Sequence, residues 1–192
     1  MPTPNAAAFD FLLNRRSHPA KLFSGPVPDR DQLRLILTAA TRVPDHGKLE
    51  PWRLLVLEPA AMPRLADLAA SHARSLGADD QKIAKGRGQF DLGQLAVVVI
   101  ASPKASDKVP AVEQLLSAGA VCFGVVAAAS AAGWGANWLS GWPSHDAAFT
   151  AAAFGCTATE SVAGIIHIGT PGQIGQDRPR PDLDALITWA AA

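Results

Sequence analysis

Residues 114–133 read QLLSAGAVCFGVVAAASAAG, and no Lys, Arg, Asp or Glu occurs between Gln114 and His145. A charge-free run of this length can cross a bilayer or lie inside a protein. Here the residues are mostly Ala, Gly and Ser rather than Leu and Ile, and no basic cluster flanks them closely. Small side chains suit a helix packed tightly on all sides within a core. The stretch predicts a long, buried, Ala-rich helix over residues 109–133 and no membrane role.

Strands lie on either side of that helix. Leu95–Ala101 (LAVVVIA) is apolar at every position, as an interior strand requires. Residues 162–168 read as the last strand, and Gly135–Leu139 as a short one. Upstream, Trp52–Leu57 is a compact apolar run near prolines and forms another. Residues 5–14 carry Phe9, Leu12 and Leu13 at helical spacing. Asp29 and Gln32 resemble a capping pair for a second helix, with Leu33, Ile36, Leu37 and Ala40 as its apolar stripe. Further helices are expected from Pro59 to about Ser75, over 144–154 with Gly155 just past the end, and over 182–189. Residues 77–93 hold four glycines and read as a polar arm, either an irregular loop or a short helix within one. The pattern is α+β, with one domain over residues 1–192.

Composition narrows the function. Seventeen basic residues balance seventeen acidic ones, so neither nucleic acid nor an anionic membrane surface is an expected partner. Cys122 and Cys156 form no paired motif, and Cys122 in its apolar run reads as a small buried hydrophobe. The five histidines show no metal-ligand spacing, and no Gly-x-Gly-x-x-Gly, Walker or Gly-x-Ser-x-Gly motif occurs. The N-terminus lacks a basic segment followed by an apolar one, so a cytoplasmic location is expected.

Four segments remain. They are Asn14-Arg15-Arg16-Ser17; Thr41-Arg42-Val43-Pro44-Asp45-His46 with Glu50-Pro51-Trp52; Lys108-Val109-Pro110 with Glu113-Gln114 and Ser117-Ala118-Gly119; and Trp138-Leu139-Ser140-Gly141 with Gly155-Cys156 and Ile168-Gly169-Thr170-Pro171. In order and spacing, over about residues 9–183, this set resembles the nitroreductase family, and within it the short YdjA-like subgroup of NAD(P)H nitroreductases. The resemblance implies a nitroreductase-like fold, with a central, mostly antiparallel sheet flanked by helices. It also implies FMN as cofactor, NAD(P)H as reductant, and a homodimer with FMN at the subunit interface.

The residues suit that cofactor. The FMN phosphate is a dianion, and Arg15 and Ser17 stand two apart where a helix runs into an extended turn, as a guanidinium-and-hydroxyl clasp needs. An Arg at a helix C-terminus is also favoured by the helix dipole alone. By resemblance, Arg15, Arg16 and Ser17 contact the phosphate and ribityl chain, and Arg180, with Arg178 beside it, completes the phosphate site. Arg42 and His46 belong to a loop that the family sets against the flavin ring, often from the partner; read alone, the loop is a capped turn. Trp138, Leu139 and Ser140 map onto the flavin-binding loop, and Trp134, Trp138 and Trp142 are equally able to fill core. By resemblance, Arg87 and the stretch Ala128, Ala129, Ser130, Ala131, Ala132 and Gly133 are implicated in nicotinamide-cofactor binding; Lys82, Lys85 and Arg87 make a cationic arm that suits a dinucleotide's phosphates, although a solvated loop with ordinary charges explains the arm as well. The chain departs from the family at Pro19, where many members carry a basic residue beside the flavin N1 edge.

The expectation is an FMN-dependent oxidoreductase that takes hydride from NAD(P)H and reduces nitro, quinone-like or other electron-poor small molecules by a ping-pong cycle, with no amino-acid nucleophile, acid or base. The rivals are a flavin-modifying or dehalogenating relative, and a flavin-binding module without turnover.

Overall fold

The computed structural model describes residues 3–173, 177 and 179–190. Four antiparallel strands, β1 (Trp52–Leu57), β2 (Leu95–Ala101), β3 (Gly135–Leu139) and β4 (Ser161–Gly169), form a sheet in the order β1-β2-β4-β3. Three of the four match the expected boundaries, and β4 is one residue longer at each end. β2 is buried throughout because helices cover both faces of the sheet. Its residues alternate: Val98 and Ile100 enter one core, Val97 and Val99 the other.

The first core packs the sheet against α3 (Met62–Ser75), α4 (Asp80–Asp91) and α7 (Ala147–Phe154), with Phe90, Phe149 and Phe154 in mutual ring contact. The second packs it against α2 (Arg30–Ala40) and α5 (Ala111–Ala131). α2 begins at the expected capping box, in which the Gln32 amide donates to Asp29 and the Asp29 amide to Gln32. α5 lies close on α2 because Gly124 has no side chain; a Cβ there would collide with the Ala40 carbonyl.

The long helix is present, but it is buried along one side only. Its most apolar window has the length and composition of a membrane span, yet only 44% of that window is buried within the chain. Val121, Cys122, Val125 and Ala129 face the core, while Val112, Leu115, Leu116 and Phe123 are exposed. α1 (Ala6–Asn14) is more extreme. It buries no residue, and Phe9, Leu12 and Leu13 are all more than half exposed. The two apolar surfaces meet where the Arg15 guanidinium lies 5.6 Å from the Phe123 ring centroid.

Three expectations need revision. The polar arm is a regular helix, α4, capped by Asp79. Its glycines disguised it, and Gly86 is required because a Cβ would collide with the Trp142 indole. The helix expected over 144–154 is two pieces, α6 (Trp142–His145) and α7, divided by Asp146. The Asp146 carboxylate accepts from the Phe149 amide at 2.8 Å and lies 2.9 Å from His72 Nε2. The C-terminal helix is a single turn, α8 (Leu183–Leu186), with Trp189 beyond it almost fully exposed. Both cysteines are free and buried, and burial pushes the Cys122 thiol up to about 12, so it is inert as expected.

His167 on β4 is 1% exposed and neither ring nitrogen has a hydrogen-bond partner. Burial drives its pKa down to about 4. The unfolded chain takes up this proton near pH 6.5 and the folded chain only near 4, so stability declines as pH falls through that window. Between pH 7 and pH 5 the loss should be roughly 2 kcal/mol. Urea unfolding of His167→Leu at the two pH values should show this dependence largely removed; an unchanged dependence would show that the ring is not the titrating group.

Candidate active site

α1 ends because Arg15 leaves the helix with φ −58° and ψ 144°, and Pro19 bars a return to helix. Residues 15–19 run extended along the free edge of β3. The His18 amide donates to the Ala136 carbonyl (3.1 Å), and the Asn137 side chain donates to the His18 carbonyl (2.6 Å). Backbone groups alternate sides along a strand. Since Ala136 points its carbonyl away from β4, Trp138, two residues on, turns its own amide to the same open edge.

A cavity of about 920 Å³ opens there. Arg15, Arg16, Ser17, Pro19, Ala20 and Lys21 form one wall, Asn137, Trp138 and Leu139 another, and Ala84, Lys85, Gly88, Gln89 and Leu92 of α4 and its end a third. Asp177 and Arg180 close it from the tail. The lining therefore carries five cations and one carboxylate, in a chain whose formal net charge is zero. Arg15 Nη2 lies 3.5 Å from Ser17 Oγ, so the two converge as the clasp requires. Arg180 donates to the Leu13 carbonyl (3.0 Å) and to Asp177 (3.2 Å), tying the tail to the end of α1. Arg178 lies outside the described residues.

The polar atoms here are under-satisfied. Among the described residues, Arg15 Nε, His18 Nδ1 and Gln89 Oε1 are buried without a hydrogen-bond partner. Burial lowers the His18 pKa, and the charges of Arg16 and Arg15 lower it further. The site is thus a positive field in a partly desolvated groove, which favours an anion.

Of the expected flavin-binding loop, Trp138 and Leu139 line the cavity; Ser140, the next residue, does not. Arg42 and His46 lie outside it, exposed on their own loop. That loop is a built structure. The Asp45 carboxylate accepts from the Leu49 and Glu50 amides (3.2 and 2.8 Å), Ser117 donates to the Pro44 carbonyl (2.8 Å), and His46 Nδ1 lies 2.7 Å from Glu113. Lys48 and Glu50 have left-handed φ values of 52° and 46°, a strain that persists only where the surroundings impose it. Arg87 points elsewhere, pairing with Asp67 (2.6 Å) and Asp91 (2.7 Å). Ala128, Ala129, Ser130, Ala131, Ala132 and Gly133 end α5 without reaching the cavity: Ala129 is in the core, and the Ser130 hydroxyl donates to the Val126 carbonyl (2.8 Å). Lys85, expected only as one cation of the polar arm, lines the cavity, and Lys21, Gln89 and Asn137 were missed. Lys85 and Gln89, four apart on one helix face, could have been joined by period, whereas Asn137 alternates to the face opposite Trp138 and gave no such signal.

A model of the nitroreductase family matches residues 12–170. An Escherichia coli K12 protein named "Putative NAD(P)H nitroreductase YdjA" is 35% identical over 164 residues, which is 85% of this chain and 88% of that one. Among solved structures, a nitroreductase-like family protein from Bacillus cereus superposes with a TM-score of 0.79 at 22% identity and full coverage of both chains. A nitroreductase from Desulfovibrio desulfuricans, solved in complex with FMN, gives 0.72 at 26% identity, covering 99% of this chain and 100% of that one.

The Asn137–His18 hydrogen bond should fix the wall that carries Arg15 and Ser17. Asn137→Ala is expected to lower unfolding free energy by roughly 1 kcal/mol and to raise amide exchange at residues 15–18. Wild-type exchange there would mean that the segment is held by something else.

Proposed function

The chain belongs to the nitroreductase family, and from that premise we propose that it is a single-domain, FMN-dependent oxidoreductase that uses NAD(P)H to reduce nitro, quinone-like or other electron-poor small molecules. The observation that carries this reading is the cationic cavity, which joins the Arg15–Ser17 clasp to the open edge of β3. The residues fit FMN. Arg15, Arg16, Ser17 and Arg180 hold its phosphate, and the unpartnered Arg15 Nε has a donor to give. When bound, the flavin supplies the two-electron chemistry, alternating between NAD(P)H and the acceptor in a ping-pong cycle.

The chain's own residues bind, orient and exclude water. The Trp138 amide and its neighbours meet the edge of the ring, and the Trp138 indole is fixed because it packs where Gly164 has no side chain. Pro19 leaves no basic group at its own position, and Lys21, two residues on, brings positive charge to the same cavity. Positive charge there stabilises the electron-rich, reduced state of a bound ring. No side chain is assigned as nucleophile, acid or base.

A homodimer is part of the proposal. The exposed apolar faces of α1 and α5 form one surface that a monomer would leave in water. A two-fold axis crossing α5 near its middle would run the helix past its copy. With that axis midway between Glu113 and Phe123, each copy's His46–Glu113 pair would approach the other copy's Arg15–Phe123 contact, where Arg42 and His46 would complete the ring pocket. A cytoplasmic setting belongs to the same reading.

The purified protein should be yellow, hold one FMN per chain and sediment as a dimer. NADPH should bleach it without oxygen, and a nitro or quinone acceptor should restore the colour. A colourless protein that FMN cannot reconstitute would leave a module without turnover. In Arg15→Ala, flavin affinity should fall at least tenfold with the circular dichroism unchanged; full flavin retention would disprove the clasp.

A further inference from the structure

One wall of the cavity has no task in the reading above. α4 and its end present Lys85, Gly88, Gln89 and Leu92 to the same space as Arg15 and Ser17. Among the described residues the Lys85 ammonium forms no ion pair, whereas Arg87, on the same helix, has two carboxylates as partners. The Gln89 side-chain oxygen is buried without a donor. Gly88 is harder to explain from within the chain. Glycine inside a helix is unfavourable relative to alanine. Gly86 is accounted for by the Trp142 indole, but a Cβ at Gly88 would meet no atom within 4 Å. The room it leaves opens into the cavity.

A phosphate clasp at Arg15, Arg16 and Arg180 satisfies one anion, and the separate cation on α4 suits a second. At about 920 Å³ the cavity lies near the upper end of the roughly 300–1,000 Å³ range for small-molecule sites. We propose that the α4 wall seats the nicotinamide dinucleotide: the Lys85 ammonium pairs with one of its phosphates, the bare backbone at Gly88 lets a flat group lie close against the helix, and Gln89 accepts a hydrogen bond from it. Lys85, rather than Arg87, is then the cation of this helix that recognises the donor. The inference rests on the NAD(P)H-dependent reading and deepens it.

The test is calorimetric titration with oxidised NADP⁺, which binds without turnover, on protein whose FMN content has been measured first. Lys85→Gln should weaken binding at least tenfold while FMN content stays at the wild-type level. Lys85→Arg should restore most of the affinity, and Gly88→Leu should abolish binding by filling the slot. Arg87→Gln should weaken binding less than Lys85→Gln. Wild-type affinity in Lys85→Gln, a larger loss in Arg87→Gln, or no binding of NADP⁺ by the wild-type protein would each overturn the proposal. Failure to take up FMN would count against the flavin reading instead, and the same titration on the flavin-free chain would still decide Lys85.

Discussion

The backbone of β3 has a partner strand on one side only, and the cavity depends on that asymmetry. On its inner side β3 pairs with β4 over five residues. On its outer side the chain supplies only the 15–19 segment, docked through Ala136 and Asn137. Among the described residues the edge beyond Asn137 is unpaired, with polar backbone groups facing a space lined by cations. An exposed edge is ordinarily a liability because it can recruit another strand. Here α4, the N-terminal segment and the tail wall it into a pocket, so that its hydrogen-bonding capacity faces a bounded cavity.

α5 connects this pocket to the rest of the molecule. One side of the helix builds the second core with α2 and the sheet, and the other exposes Val112, Leu115, Leu116 and Phe123, the last beside Arg15 at the end of α1. Arg15 stands at the junction, stacked on Phe123 with its guanidinium directed to the cavity lining. Flavin binding and self-association are therefore coupled in the proposed dimer: the residue that would grip the phosphate also lies at the border of the face a second copy would cover.

The sequence made most of the fold legible, and the exceptions share a physical origin. β2 announces itself because burial on both faces leaves no polar position, and the expected span of β4 reads the same way apart from His167. α2 is marked by its capping box, and α7 by Gly155 in the left-handed region at its end. α4 was obscured because Gly86 and Gly88 look like loop residues until Trp142 and the cavity supply their context. The break at Asp146 was invisible because its reasons, His72 and the α7 amides, come from different parts of the chain. α5 was expected to be buried all round, since composition alone does not separate an apolar face left exposed from one in the core. In the site, Arg15 and Ser17 are local in sequence and could be read together; Lys85 and Gln89 needed α4 to be seen as a helix first.

The Asp45 loop has a consequence for assembly. Its carboxylate fixes two amides downstream, Ser117 pins Pro44, and Glu113 aligns His46, so the turn is shaped before any neighbour arrives. Ordering a flexible loop at the moment of contact opposes association, because each immobilised side chain gives up rotational freedom. A loop already frozen in a left-handed bend has surrendered that freedom during folding, and in the proposed dimer two subunits would meet as rigid bodies.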